Sequence, residues 1–323
     1  MRPVLSHPIE LATQRTGDPE IAEILATCAE DGHRALCAFI YEAGTVRFGG
    51  LGADEHTEVE IGSITKTFNA ELVRQLVSEG ALAPRTTVGE IIEVPDAPIA
   101  SVTLEELLDH TSGLGPVGTN GFFHNNVAPS LDLFRYYCRR TPEQVFATAA
   151  RARLRHRRQF LYSNFGHALV GQLLAVHQKT NYEALVRSRI FEPAGMSDTY
   201  IALPGTTRNA PQGLGFNGRP VKPWEEHGWA PAGAAHSTAA DMAKYAHWVA
   251  SHGGPGHAWH QCNIGSVECI SKGGGTAGYS NVLSWDTASE SPRAAYVANS
   301  SAVDVNELDI QLLTRLDNTP GRQ

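Results

Sequence analysis

Ser63 and Lys66 stand three residues apart in Gly62-Ser63-Ile64-Thr65-Lys66. On a helix that spacing puts both side chains on one face, one turn apart. A serine at a helix N-terminus gains from the dipole when negative charge develops beside it. A neutral lysine next to it can take the hydroxyl proton, which is what a weak nucleophile requires. Alone, the pair is weak evidence, because a capping serine followed by an exposed lysine is an ordinary helix start. Two further groups carry polar side chains of the right kind: Tyr162-Ser163-Asn164 and Lys272-Gly273-Gly274-Gly275-Thr276. Taken singly, the first also reads as a core tyrosine with a capping Ser or Asn, and the second as a glycine turn.

The elements that must position these groups follow from periodicity and punctuation. Ala35–Tyr41 and Thr45–Phe48, separated by Glu42-Ala43-Gly44, predict a hairpin. Ser63–Glu79 carries apolar residues at Ile64, Phe68, Leu72, Leu76 and Val77, a helical spacing, and Gly80 fits its stop. Thr103-Leu104-Glu105-Glu106 is a capping box opening a short helix. Helices are expected over 142–154, 165–177, 237–250 and 305–316, strands within 263–285 and over 294–298, and loops over 113–130 and 204–231. Strands at both ends of the chain and helices between predict an α+β fold: one antiparallel sheet built from residues 1–80 and 228–323, flanked by helices, with a mostly helical insertion over 81–227.

The order S-x-x-K, Y-x-N, K-x-G along one chain resembles the serine β-lactamase and penicillin-binding-protein superfamily, on its class C and esterase side. Leu107-Leu108-Asp109-His110-Thr111-Ser112-Gly113-Leu114 is similar to that family's L-L-x-H-T-S-G-L stretch. Ile190–Met196 with Asp198-Thr199 resembles its I-F-x-P-L-G-M-x-x-T stretch, and Ala232-Gly233 with Ser237–Asp241 its A-G-x-x-S-T-A-x-D element. The resemblance covers roughly residues 35 to 300. It implies a β-lactamase/transpeptidase-like fold and an acyl-enzyme on Ser63, with Lys66 and Tyr162 sharing the acid–base work. It further implies that Asn164 orients the lysine and touches substrate, and that Lys272 adds positive potential beside Tyr162. The glycines, Gly274 among them, would let the substrate backbone approach, and the Ser63 and Gly275 N–H groups would form an oxyanion hole. The chain departs from the family in reading Lys-Gly-Gly where β-lactamases have Lys-Thr-Gly, and in a shorter stretch between Tyr162 and Lys272.

Composition bounds the partners. The chain has 323 residues, 19% of them charged, and a net charge of −8, an ordinary globular balance without the basic surplus of a nucleic-acid binder. It has no run of 18 apolar residues, and its N-terminus is not a secretory signal peptide, which reads as cytoplasmic or already processed. Five cysteines with no C-x-x-C predict free thiols in a reducing compartment. Cys262 and Cys269 can face each other across a hairpin, but buried free thiols are the preferred reading. His247, His252, His257 and His260 match no metal-ligand spacing, so no metal or cofactor is expected. The expected partner is a small ester or amide, with the oligomeric state unread. Trp224, Trp229, Phe122 and Phe123 either line an acyl pocket or pack their loops. Function narrows to an esterase-like serine hydrolase, with an acyltransferase as the alternative. A D-Ala-D-Ala carboxypeptidase, a β-lactamase and a non-turnover acylation sensor rank below these.

Overall fold

The computed structural model describes residues 7–117, 140–264, 267–305 and 307–317. Its strands are β1 (Arg15–Gly17), β2 (Leu36–Glu42), β3 (Thr45–Leu51), β4 (Val59–Glu60), β5 (Tyr200–Ile201), β6 (Ala235–Ser237), β7 (His260–Ile264), β8 (Val267–Gly275), β9 (Ser280–Asp286) and β10 (Arg293–Asn299). One seven-stranded sheet has the order β1-β3-β2-β10-β9-β8-β7, and β4-β6-β5 forms a small second sheet. Every pairing in the large sheet is antiparallel. The main helices are α1 (Pro19–Cys28), α2 (Thr65–Ser78), α3 (Leu104–Leu108), α4 (Pro142–Ala150), α5 (Asn164–His177), α6 (Ala239–Ser251) and α7 (Leu308–Asp317).

Alternation along the strands splits the apolar residues between two cores. Ala38, Ile40, Val282, Ala295 and Val297 pack with Ile21 and Leu25 of α1 and Leu312 and Leu313 of α7. Phe39, Tyr41, Leu283, Trp285 and Tyr296 face the opposite way, toward the core built with α2, α5 and α6. The result is an antiparallel sheet with helices on both faces.

Local chemistry explains most element ends. Ala43 and Gly44, both at positive φ, make the β2–β3 turn, the combination a two-residue hairpin favours. β3 runs on through Gly49 and Gly50 to Leu51 instead of stopping at Phe48. A Cβ on Gly49 would lie 2.8 Å from Ile21 of α1, so the glycine serves close packing within the strand. Thr103 and Glu106 form the expected capping box of α3. Pro142 starts α4 behind a second box, Thr141 with Gln144. The segment over 204–231 is irregular except for short bridges and the turn of helix Ala230–Gly233. Trp229 within it is fully buried against Phe165, with ring centroids 5.9 Å apart, so it packs its loop. Phe122, Phe123 and most of the loop expected over 113–130 lie outside the described residues.

Two sequence expectations need correction. Cys262 and Cys269 are directly opposed on β7 and β8, with Cα atoms 5.0 Å apart, and are joined as a disulfide. A hairpin register that faces two cysteines puts their Cα atoms within bridging range, and this removes the cysteine argument for a reducing compartment. The helix expected from Ser63 begins instead as a 3-10 turn, Gly62–Ile64, before α2. Gly62 takes a φ of 49°, and a Cβ there would lie 2.8 Å from the Gly275 nitrogen. Gly274 is equally tight, since its Cβ would meet the Ile61 carbonyl oxygen at 2.0 Å. Gly274 of β8 therefore admits the chain's own turn.

Gly274→Ala should force strand and turn apart and cost about 1–3 kcal/mol, the usual range for overpacking. Gly273→Ala, whose Cβ meets only the Asn281 carbonyl at 3.8 Å, should stay near wild type. Denaturant midpoints of the two variants, measured side by side, check the contrast.

Candidate active site

Ser63 sits in the 3-10 turn that leads into α2, and Lys66 lies in the first turn of that helix, fully buried. Lys66 Nζ donates to Ser63 Oγ at 2.8 Å and to the Ala232 carbonyl. Tyr162 Oη donates to the same Ser63 oxygen, also at 2.8 Å. Burial pushes the Lys66 ammonium down to about 7, against an upward pull from Glu226. Near neutral pH a large fraction of Lys66 is thus the free amine, with a lone pair available to the serine hydroxyl.

Tyr162 is held by a rail of backbone contacts from the segment after α3. Leu161 N donates to the His110 carbonyl at 2.8 Å, and Ser163 N to His110 Nδ1 at 3.1 Å. Arg158 N bonds the Thr111 carbonyl, Arg155 N the Gly113 carbonyl, and Ser163 Oγ the Gly115 carbonyl. His110 adopts a φ of 59°, and its ring lies 4.4 Å from that of Tyr162. The 107–114 stretch acts as the mount for the tyrosine. The other two matched stretches are tied together in the same way. Thr199 Oγ1 bonds Ser237 Oγ and Asp241 Oδ2, and Asp198 N bonds Asp241 Oδ2.

Lys272 is buried at 2% exposure on β8. Residues alternate along a strand, so Lys272 and Gly274 share the face turned to Ser63, and Cys269 faces the α1–α7 core. Pairing of β8 with β7 ends at Ser271, while Lys272–Gly275 continue to pair with β9. The last residues of β8 thus present one backbone edge free of strand pairing beside the 3-10 turn. Lys66 Nζ and Lys272 Nζ lie 5.2 and 5.6 Å from the Tyr162 ring centroid, within cation–π range. Burial pushes Lys272 down to about 7, with Tyr162 pulling it up and Lys66 pushing it further down.

The structure brings Ser63, Lys66, Tyr162 and Lys272 together. Asn164 opens α5 two residues after Tyr162, behind the N-cap Ser163. Among the described residues it makes no hydrogen bond to Lys66, whose second partner is the Ala232 carbonyl. Gly274 is filled by Ile61 and Ile64 rather than held open, and Gly275 abuts Gly62, the neighbour of Ser63. Sequence reasoning missed three groups. The Ala232 carbonyl and His110 lay inside motif stretches but had no assigned role. His260, counted only among possible metal ligands, bonds Lys272 at 3.1 Å. His247, His252 and His257 serve Tyr41, Trp248 and Asp109 respectively, so the four histidines do not converge.

The chain belongs to the family described as Beta-lactamase, whose sequence model matches residues 21–262. That span contains Ser63, Lys66 and Tyr162 and stops short of Lys272. Beta-lactamase-like protein 2 of Dictyostelium discoideum is 30% identical over 201 residues, 58% of this chain and 35% of that one. The chain thus spans about a third of that relative. Among solved structures, a D-amino acid amidase from Ochrobactrum anthropi has a TM-score of 0.74 at 22% identity, covering 92% of this chain and 97% of its own. A β-lactamase/D-alanine carboxypeptidase from Pseudomonas syringae has a TM-score of 0.75 at 16% identity, covering 93% and 99%. These likenesses define the fold, that of the serine β-lactamase and transpeptidase superfamily. No helix among the described residues is long and apolar enough to cross a membrane.

The Lys66–Ser63 bond sets a pH expectation. The rate of Ser63 labelling by a serine-directed phosphonate should rise through about pH 7 as Lys66 loses its proton. Lys66→Met should slow labelling by roughly 10²–10⁴, the span for a lost general base. Labelling rates between pH 5 and 9 for both proteins check this.

Proposed function

We propose that this protein is a serine hydrolase that works through an acyl-enzyme on an uncharged ester or amide, esterase-like in its substrate range. The observation that carries the reading is the double hydrogen bond to Ser63 Oγ from Lys66 Nζ and Tyr162 Oη. Neutral Lys66 takes the proton from Ser63 Oγ as that oxygen bonds the substrate carbonyl carbon. The carbonyl oxygen becomes an oxyanion, to be met by the backbone N–H groups of Ser63 and Gly275. The proton leaves Lys66 through Tyr162 to the departing alcohol or amine, and the bond from the carbonyl carbon to that group breaks. Water then repeats the sequence on the acyl-serine, giving the acid and restoring Ser63. Asn164, at the start of α5, contacts the acyl group.

Two features support an uncharged substrate. Gly273 provides no hydroxyl for a substrate carboxylate. Lys272, down at about 7, is a weak cation at neutral pH. A D-amino acid amidase shares the fold, which keeps amides within the proposed range.

The deciding experiment is a chromogenic short-chain ester followed from the burst into steady state, with and without an added amine. Turnover in water is expected. A product that forms only with the amine would convert the reading to acyl transfer, and a stoichiometric burst without turnover would convert it to a sensor. Ser63→Ala should abolish both the burst and phosphonate labelling while the fold persists, and residual labelling would remove Ser63 from the role.

Selectivity should follow the same motif. Wild type should prefer a p-nitrophenyl ester to a cephalosporin, because the missing charge-assisted contact is worth about 1.5–3 kcal/mol, roughly 10- to 100-fold. The kcat/KM values of the two substrates, measured side by side, will show it.

A further inference from the structure

His260 has no part in the chemistry described above, yet it is the one hydrogen-bond partner of Lys272 Nζ among the described residues, at 3.1 Å. It opens β7 opposite Ser271 on β8, and the disulfide between Cys262 and Cys269 ties the same two strands two pairs further along. β7 is an edge strand of the sheet, paired among the described residues with β8 alone, so the staple secures the element that delivers the imidazole. The ring is fixed from other sides as well. It stacks against His110 at 5.9 Å with an angle of 20°, and Phe160 stands edge-on to it at 5.8 Å.

We propose that His260 is the positioning residue of Lys272: its imidazole accepts a hydrogen bond from the buried amine and directs the remaining Nζ bonds toward Tyr162 and the substrate. This rests on the acyl-enzyme reading of the site and adds to it a residue outside the three motifs. A buried ammonium that lacks a carboxylate needs a neutral acceptor to stay hydrogen-bonded, and an uncharged imidazole supplies one.

The surroundings keep His260 uncharged. Burial and the nearby Lys272 and Lys66 hold it down at about 4, opposed only by Asp109. His110, behind it, is held down at about 3 by burial and the same two lysines. His167 on α5 is fully buried and pushed well below its usual range. The titratable groups facing Lys272 are thus Lys66 from α2 and Tyr162 from the segment before α5, with three neutral histidines around them. With Nε2 accepting from Lys272, the His260 proton resides on Nδ1.

The acceptor stabilises the ammonium form of Lys272, so removing it should lower the pH at which that lysine loses its proton. The test is the pH profile of kcat/KM on a p-nitrophenyl ester for wild type, His260→Leu, His260→Phe, His260→Gln, Lys272→Ala and the double variant Lys272→Ala/His260→Leu. Ser63 phosphonate labelling is counted in each. His260→Leu and His260→Phe both remove the acceptor and fill the space, and whichever folds serves. Its kcat/KM should fall roughly 10-fold or more, as for a lost hydrogen bond to a charged group, and its alkaline limb should move to lower pH. His260→Gln, which offers an amide oxygen, should recover most of the activity and the wild-type limb. The double variant should be no worse than Lys272→Ala alone, because the two act as a unit.

An unmoved profile in the apolar variants overturns the proposal. So does a His260→Gln as impaired as His260→Leu, or losses that multiply in the double variant. Full Ser63 labelling throughout would leave the acyl-enzyme reading standing when the positioning role fails. Absence of labelling in wild type would bring down both.

Discussion

Two lysines are buried around one tyrosine ring, and an ammonium withdrawn from water is costly unless it is hydrogen-bonded or gives up its charge. Both responses are present. Lys66 and Lys272 are each driven down to about 7, and each keeps an uncharged acceptor, the Ala232 carbonyl for one and His260 for the other. With no carboxylate bonded to either amine among the described residues, the lysines stay close to the point where they exchange protons at neutral pH. A site whose groups titrate this close together behaves as one unit.

The same constraint organises the first half of α2, where polar residues face the interior and each finds a partner. Thr65 Oγ1 bonds the Gly62 carbonyl and receives Ala235 N, and Tyr245 Oη bonds Thr67. Asn69 donates to the Pro231 carbonyl and accepts from Tyr182 Oη. These bonds fasten the segment over 230–235 to the helix and so place the Ala232 carbonyl on Lys66. Buried polar groups of this kind define a single arrangement when satisfied, and an arrangement this definite is what holds two donors on one serine oxygen.

Sheet and turn meet through missing side chains. Gly62 and Gly274 let the 3-10 turn touch the end of β8, and β7 stops pairing before Lys272. The unpaired edge and the nucleophile therefore sit on the same rim. The rail over 110–116 then brings Tyr162 in from the helical side, so the site forms where the sheet end, α2 and the start of α5 converge.

Much of this was legible in the residues. The hairpin, the capping box at Thr103, the helical spacing after Ser63 and the order of three short motifs depend on neighbours within a few positions, and chain-local rules describe such neighbours well. The Ser63–Lys66 contact is of that kind, being one helical turn. What the sequence could not supply spans long separations. Tyr162 reaches Ser63 across 99 positions, and Ala232 reaches Lys66 across 166. His260 belongs to a histidine cluster along the chain, and proximity in sequence says nothing of which strand faces which. The pairing of Cys262 with Cys269 needs the β7–β8 register, which cysteine spacing alone does not reveal. Which functional groups the chain carries, and their local pitch, follow from the order of residues. That both lysines lose water follows from the packed fold, because desolvation depends on every element around a side chain and not on its own neighbours along the chain.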